Sequence, residues 1–549
     1  MGAATPREYW FPLLLAAFML VLGTLPFAYG YLSAGDDQVY MGLLGNNTTG
    51  GNGYLMLARQ AKEGAWLFQN RMTPEPTPRA YFDLEWFLFG RMARHFNLPL
   101  MAVFHIWRVI TVLCFMFAGY YLAVQCFETI STRRLALSLL VFGTGFGWLI
   151  WVLNRLPFLD FPLSLDMQGV TIFGYLINKP HFIRAALFLL LQAAFLIRGE
   201  TTRKWRYFVL SGLAATGLIF IRFHHLPESY MLFVGTPIIF CFLEKRIDLN
   251  RIARYGIACV TLLPAALYVA YSLYANVMGV SSTYWPGPLW GGQVFWLGLP
   301  FLLCCWYLLT YGIVQAYTAR KAAVILGFWL LGSWMLAAFH HFLNAGHEIA
   351  ALALLIAPCF LVLMRPLPAL LEALKNHVPP LRKALPNAPL VGWSAIALVL
   401  FCSLTSGYVY GRMFKDLHNP VLMELYYLDR DTYDALQWIA REGHENEVVL
   451  ASYVTSQYVA GQTNKRIVTG HDLLTQNDAE NHSLVIRFLH EGGDDGFKRY
   501  VVKRFGVQYV LFSPFEQMNN HFYPANHPWL EEVFRQGATA VYKVNHRLL

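Results

Sequence analysis

The chain has 549 residues, of which 56% are hydrophobic and only 14% charged, with a formal net charge of +9. A soluble domain carries nearer a quarter charged residues, so a wholly water-soluble protein is excluded, and nothing in the sequence points to nucleic acid. The 41 Phe, 30 Tyr and 16 Trp, with several apolar runs of the ~20 residues that cross a bilayer, predict a polytopic α-helical membrane protein.

The opening "MGAATPRE" leads into an apolar run too long and too aromatic for a signal-peptide core, so it reads as a retained first helix. Nearly uncharged runs predict about eleven spans. They lie near residues 10–32, 100–125, 135–153, 181–197, 206–223, 228–243, 253–275, 292–313, 321–341, 347–364 and 389–411. All 8 cysteines fall in or at the edge of these runs. No C-x-x-C or Cys/His spacing is present, so neither a disulfide framework, nor a metal centre, nor a cofactor is predicted. The cysteines read as small buried hydrophobes.

Between the first two spans, residues 31–100 form a structured loop. It opens with "GDDQVY", two adjacent carboxylates, Asp36 and Asp37, directly after an uncharged run from Tyr9 to Gly35. "YLMLARQAKEG" predicts a short helix ended by Gly64. In "YFDLEWFLFGRMARHF", Phe82, Trp86, Phe89 and Phe96 recur at helical spacing, with Arg91, Arg94 and His95 away from that stripe. The pattern suits a helix lying in the membrane interface, and equally an amphipathic helix packed on a neighbour.

With the N-terminus in the cytoplasm, the inner loops carry Arg133 and Arg134; Arg198, Arg203, Lys204 and Arg206; Lys245, Arg246, Arg251 and Arg254; Arg320 and Lys321; and Arg365, Lys375, Arg382 and Lys383. The short outer loops hold little beyond Arg222. This positive-inside bias predicts residues 31–100 and the C-terminus outside. Residues 1–411 then form the transmembrane domain. Residues 412–549 form an extracytoplasmic α/β domain: they carry 14 Lys+Arg against 17 Asp+Glu, so the first 411 residues hold +12 of the charge. In this part "DTYDALQWIARE", "VIRFLHEGG" and "FKRYVVKRFG" predict helices. "EVVLASYV", "RIVTG", "VQYVLFS" and "TAVYKV" predict strands. "GHD" at 470–472 predicts a loop. No nucleotide-binding motif is present.

An ionisable residue inside a span is costly and often functional. In this topology most of them gather at the outer ends. His105 and Arg108 lie on the second span, and His181 and Arg184 on the fourth. Arg222, His224 and His225 end the fifth, His340 and His341 end the ninth, and Glu348 opens the tenth. Any one Arg also suits snorkelling to lipid phosphate, and any one His suits a structural hydrogen bond. Together with Asp36 and Asp37 they suit an anion-binding, acid–base site. Cations at the headgroup level fit a lipid-anchored phosphate, here through Arg108, Arg184 and Arg222. A carboxylate there can accept a proton from an attacking hydroxyl.

"DDQVY" just after the first span resembles the start of the first outer loop in the GT-C superfamily of membrane glycosyltransferases, nearest to aminoarabinose transferases and protein O-mannosyltransferases. "LARQAKEGAWL" resembles the helix ending in Gly-x-Trp of the same superfamily. The resemblance covers roughly residues 10–110. It implies a GT-C-like fold of about eleven to thirteen spans with an outer C-terminal domain. It implies Asp36 as catalytic base, Asp37 as its neighbour and Tyr40 as a site-lining tyrosine. His105, His181, His224, His225, His340, His341 and Glu348 are further candidate lining. The implied activity is inverting transfer of a hexosyl or pentosyl unit from a polyprenyl-phosphate sugar to a cell-envelope acceptor, at a bacterial inner membrane. Some members of the superfamily use a divalent cation and others none. Two departures stand: the second acid is Asp rather than Glu, and "GLLGNNTTGGNG" is inserted before the helix. A transporter of an anionic lipid, or a membrane scaffold with an outer binding domain, are the competing readings. A transporter favours repeated halves and a midplane site, and neither is visible.

Overall fold

In lipid an apolar run has one stable open form, a helix, because every backbone N–H must find its partner within the run. The structure, a computed structural model, describes the chain apart from residues 1–4, 45–47, 144–147, 149–151, 153–170, 276–299, 308–309, 311–320, 339–347, 378–388, 420–424, 490–493 and 519–521. In chain order the elements are α1 (Trp10–Ser33), β1 (Gln38–Tyr40), α2 (Thr48–Glu63), α3 (Leu84–His95), α4 (Leu100–Cys126), α5 (Ile130–Phe142), α6 (Ile172–Asn178), α7 (Pro180–Thr202) and α8 (Trp205–Ile221). After a 3-10 corner at Phe223–His225 come α9 (Leu226–Tyr230), a π-turn (Met231–Gly235), α10 (Thr236–Glu244), α11 (Leu249–Tyr274), α12 (Lys321–Ala338), α13 (Glu348–Met364), α14 (Pro366–His377) and α15 (Pro389–Leu417).

Six of the described helical stretches are long and apolar enough to cross a membrane; α13 and α14, bent by 48° at their junction, count as a seventh if the pair is one broken span rather than a re-entrant loop. The helix α8 and most of α12 are apolar but shorter. The third predicted span is helical over Ile130–Phe142 and then leaves the described residues. The eighth is described only over 300–307 and 310.

The chain divides into two compact units. The described residues of Met1–Thr24, Trp107–Val269 and Trp285–Met413 form one; those of Leu25–Ile106, Ala270–Tyr284 and Phe414–Leu549 form the other.

In the first unit α7 is enclosed by its neighbours along most of its length, whereas α11 keeps an exposed apolar face suited to lipid. Buried ion pairs tie the helix ends. Glu8 Oε2 accepts from Arg133 Nη1 at 2.7 Å and from Tyr120 Oη at 2.9 Å. Glu200 meets Arg251 at 3.2 Å and Lys321 at 3.5 Å. Several Arg and Lys residues behind the predicted orientation are therefore structural fasteners as well.

In the second unit α2 and α3 pack face to face. The Tyr54 and Trp86 rings stack at 4.8 Å. A Cβ on Gly90 would sit 2.3 Å from the Ala58 carbonyl oxygen, so only glycine fits there. This packing matches the second reading of the α3 pattern, an amphipathic helix on a neighbour. Trp86 (4% exposed) and Phe89 (1%) face α2 rather than lipid, while Phe96, at the end of the helix, is 63% exposed. Burial against a matching helix beats the interface for side chains that have one. The helix α2 ends at Gly64 (φ +118), whose N–H donates to Gln60 O at 3.1 Å, the predicted glycine stop.

The C-terminal part adds β2 (Tyr427–Asp429), α16 (Arg430–Arg441), β3 (Val448–Leu450), α17 (Tyr453–Gln462), β4 (Arg466–Ile467), α18 (Asp478–Leu489), α19 (Asp495–Phe505), β5 (Val507–Phe512), α20 (Pro514–Gln517), β6 (Leu530–Gln536) and β7 (Thr539–Val544). Its sheet runs β4-β3-β5-β7-β6, with β3 parallel to β4 and β5, and β7 antiparallel to β5 and β6. Val448, Leu450, Phe488, Val502, Val510 and Trp529 are in its core. The loop after α2 closes over this sheet: Ile467 N donates to Arg71 O at 3.2 Å, and the buried Arg71 guanidinium pairs with Glu445.

Candidate functional site

The helix α1 ends at Ser33 and the chain reverses at once. Gln38 N donates to Gly35 O at 3.0 Å, which closes a turn with Asp36 and Asp37 at its two central positions. Gly and Asp suit such a turn, and a side chain at Gly35 would meet Asp37 Oδ1 at 2.9 Å. Both carboxylates are exposed. Their backbone is pinned from the C-terminal part of the chain. In the antiparallel β1–β2 ladder Gln38 pairs with Asp429. The next residue, Arg430, donates from its backbone N to Asp37 O at 2.8 Å and from Nε to Asp36 O at 3.2 Å. Sequence reasoning missed Arg430, since nothing in a local pattern joins residues 394 apart.

Tyr40, the predicted site-lining tyrosine, is buried beside the turn. It is 5% exposed, and its hydroxyl donates to Leu43 O at 2.8 Å. Its ring lies over Gly30, where a Cβ would come within 2.5 Å. Burial pushes its hydroxyl pKa well above the usual tyrosine value. Tyr40 packs the turn against α1. His105 packs edge-on against Phe27 at 5.0 Å and lies 6.3 Å from Tyr31.

The cations occupy the other unit. Arg108 is 2% exposed; it donates to Gly23 O and, at 2.9 Å, to Thr24 Oγ1, which braces α4 on α1. Arg184, 6% exposed, donates to Thr111 Oγ1 at 2.8 Å and lies 5.7 Å from the Trp107 ring. Neither lies exposed to lipid. Arg222 ends α8. Its guanidinium lies 3.8 Å over the Phe182 ring, which stacks in turn on Tyr175 at 4.6 Å and 18°. Lys179 Nζ is 5.5 Å from the same ring. His181, beside Phe182, is 6% exposed. The structure thus gathers Lys179, His181 and Arg222 around one aromatic platform. Lys179 was missed, although a lysine just before the proline that starts α7 was a visible signal. His224 sits on the corner after Arg222, and His225 turns inward to a buried carboxylate, Glu228, at 2.6 Å. His340, His341 and the side chain of Glu348 lie outside the described residues. Among the described residues no three His, Cys, Asp or Glu side chains come together as metal ligands.

The fold of the chain is shared with solved structures of other proteins. The chain superposes on the Archaeoglobus fulgidus oligosaccharyltransferase, tethered to an acceptor peptide, with a TM-score of 0.51 at 12% identity, covering 92% of this chain and 69% of that one. It superposes on the arabinofuranosyltransferase AftD from mycobacteria with a TM-score of 0.52 at 13% identity, covering 99% of this chain but only 42% of that one. ArnT from Cupriavidus metallidurans, bound to undecaprenyl phosphate, aligns over 100% of this chain and 99% of its own at 12% identity and a TM-score of 0.48. At such identities the likeness is one of fold. No protein-family model matches the sequence, and neither does any curated protein.

Proposed function

We propose that this protein is a membrane glycosyltransferase that moves a sugar from a polyprenyl-phosphate donor to a cell-envelope acceptor at the extracytoplasmic face. The observation that carries the reading is the turn at the end of α1, which displays two adjacent exposed carboxylates on a pinned backbone. The shared fold with two glycosyltransferases supports it over a transporter. In this reading Asp36 takes the proton from the acceptor hydroxyl as its oxygen bonds to the anomeric carbon. The bond from that carbon to the donor phosphate breaks on the opposite face, which inverts the centre. The leaving polyprenyl phosphate keeps its electrons and needs cations rather than a proton. Arg222, with Lys179 and His181, is the leading phosphate group; Arg184 comes second. Arg108 is the weakest candidate, because it braces two helices.

Purified protein incubated with a panel of radiolabelled polyprenyl-phosphate sugars and an envelope extract should release polyprenyl phosphate from one donor. No release from any donor would sink the reading. The orientation, with about eleven spans, the N-terminus inside and the C-terminal domain outside, rests on the Lys/Arg asymmetry. A reporter active only outside the cytoplasm, fused after Leu549, should be active; activity of a cytoplasmic reporter at that position would reverse the assignment.

A further inference from the structure

Glu228 lies within a stretch long and apolar enough to cross a membrane, and it is 0% exposed. Burying a carboxylate costs several kcal/mol unless hydrogen bonds offset it, and an ionisable residue at membrane depth usually has a task. Three donors reach it from two sides. His225 Nδ1 lies 2.6 Å from Oε2. Trp329 Nε1 donates to Oε1 at 2.5 Å and Ser333 Oγ to the same atom at 3.3 Å. Trp329 is itself 0% exposed, and His225 is 1% exposed. One carboxylate therefore joins the Phe223–His225 corner to α12.

The corner needs such a fastener. The chain leaves α8 at Arg222 with φ −144° and ψ 88°, makes one 3-10 turn, and re-enters a helix broken by the π-turn five residues later. A π-turn inserts one extra residue, which rotates the helix on its C-terminal side against the helix on its N-terminal side. Within the π-turn the register on α12 is set by apolar keys at its two ends. Met231 fills the notch at Gly332, where a Cβ would sit 2.0 Å from its Sδ, and Phe328 fills the notch at Gly235, at 2.3 Å. Before the π-turn the hold on α12 comes from Glu228. Ser229 Oγ adds a 3.3 Å bond to Gln192 Oε1 on α7.

We infer that Glu228 is a positioning residue: through His225, Trp329 and Ser333 it fixes the corner that carries Arg222 and His224. The inference rests on the phosphate-binding role proposed for Arg222, and it adds a residue that touches no substrate.

The test uses the full-length protein in detergent, with undecaprenyl phosphate as the probe. Glu228→Gln can keep the geometry, because its amide oxygen still accepts from Trp329 and its NH2 can donate to the other tautomer of His225. It should bind within about threefold of the wild type. Glu228→Met alone would leave His225 without its partner, so the second variant is His225→Phe/Glu228→Met. An apolar replacement of a buried pair is often neutral for folding, but Trp329 Nε1 and Ser333 Oγ lose their acceptor, so this protein should fold and melt somewhat below the wild type. It should nevertheless bind at least about tenfold more weakly, since a misplacement of about 1 Å can cost more than that. Trp329→Phe should move binding in the same direction. Undiminished binding by a folded double variant would overturn the inference. A second readout does not need the phosphate. In a His224→Cys protein, maleimide labelling at position 224, read by peptide mass, should change rate several-fold on adding His225→Phe/Glu228→Met. If the wild type binds no undecaprenyl phosphate, the donor reading fails, and labelling alone decides: a changed rate upholds the positioning role and an unchanged rate ends it.

Discussion

Asp36→Asn is expected to abolish sugar transfer in a protein that still folds. The side chain is exposed and its backbone is held by groups that the substitution leaves alone: Gln38 N on Gly35 O, Arg430 N on Asp37 O and Arg430 Nε on Asp36 O. Asn matches Asp in shape, so the turn keeps its form while the group that accepts a proton is lost. A positioned base contributes about 10²–10⁴-fold, and turnover of a labelled donor should fall by that much with the melting temperature unchanged. Asp37→Asn should reduce turnover less, because its neighbour still accepts the proton. Near-normal turnover in Asp36→Asn with a dead Asp37→Asn would exchange the two roles. Full activity in both would remove the glycosyltransferase reading.

How much of the fold was legible in the sequence depends on the range of the interactions. The long helices were, because charge depletion over about 20 residues is a local signal with one outcome in lipid. The strands β5 and β7 and the helices α16 and α19 were, from local pattern, although Asp429 and not Asp431 caps α16. Of "VIRFLHEGG" the first five residues end α18, and residues 490–493 lie outside the described residues. The run "EVVLASYV" was read through to Val454 as a strand, but Ser452 caps α17, accepting from Thr455 N at 3.5 Å, and ends the strand reading at Leu450. The strand β6, "LEEVFRQ", was missed because its outward side chains are charged and its inward ones few; it is the edge of the sheet, where charge keeps other strands away. In the candidate site the acid pair was legible from its place after the first span. Arg430 was not, because its contact with the pair is made by folding alone. Glu228 was passed over because it lies between a histidine pair and an apolar run, and only the structure shows Trp329 and Ser333 turned toward it.

Arg222→Lys is the substitution expected to weaken donor binding most among the cation changes that keep the charge. The Arg222 guanidinium lies 3.8 Å over Phe182, and Phe182 lies on Tyr175 at 4.6 Å. A planar guanidinium can stack on that ring while its edge N–H groups point outward in a fixed fork, which suits two phosphate oxygens at once. A lysine ammonium is compact and cannot both stack flat and offer a fork. The cation–π contact alone is worth about 0.5–2 kcal/mol. With one charge-assisted hydrogen bond also lost, affinity for undecaprenyl phosphate should fall about tenfold or more in equilibrium binding. Arg108→Lys should behave differently. Its donors go to Gly23 O and Thr24 Oγ1, so it should lower the melting temperature and leave phosphate affinity near the wild type. Arg184 divides the two cases, with one donor on Thr111 Oγ1 and a face toward Trp107. If Arg222→Lys binds as well as the wild type while Arg184→Lys does not, the phosphate group is Arg184, and the Phe182 platform is packing.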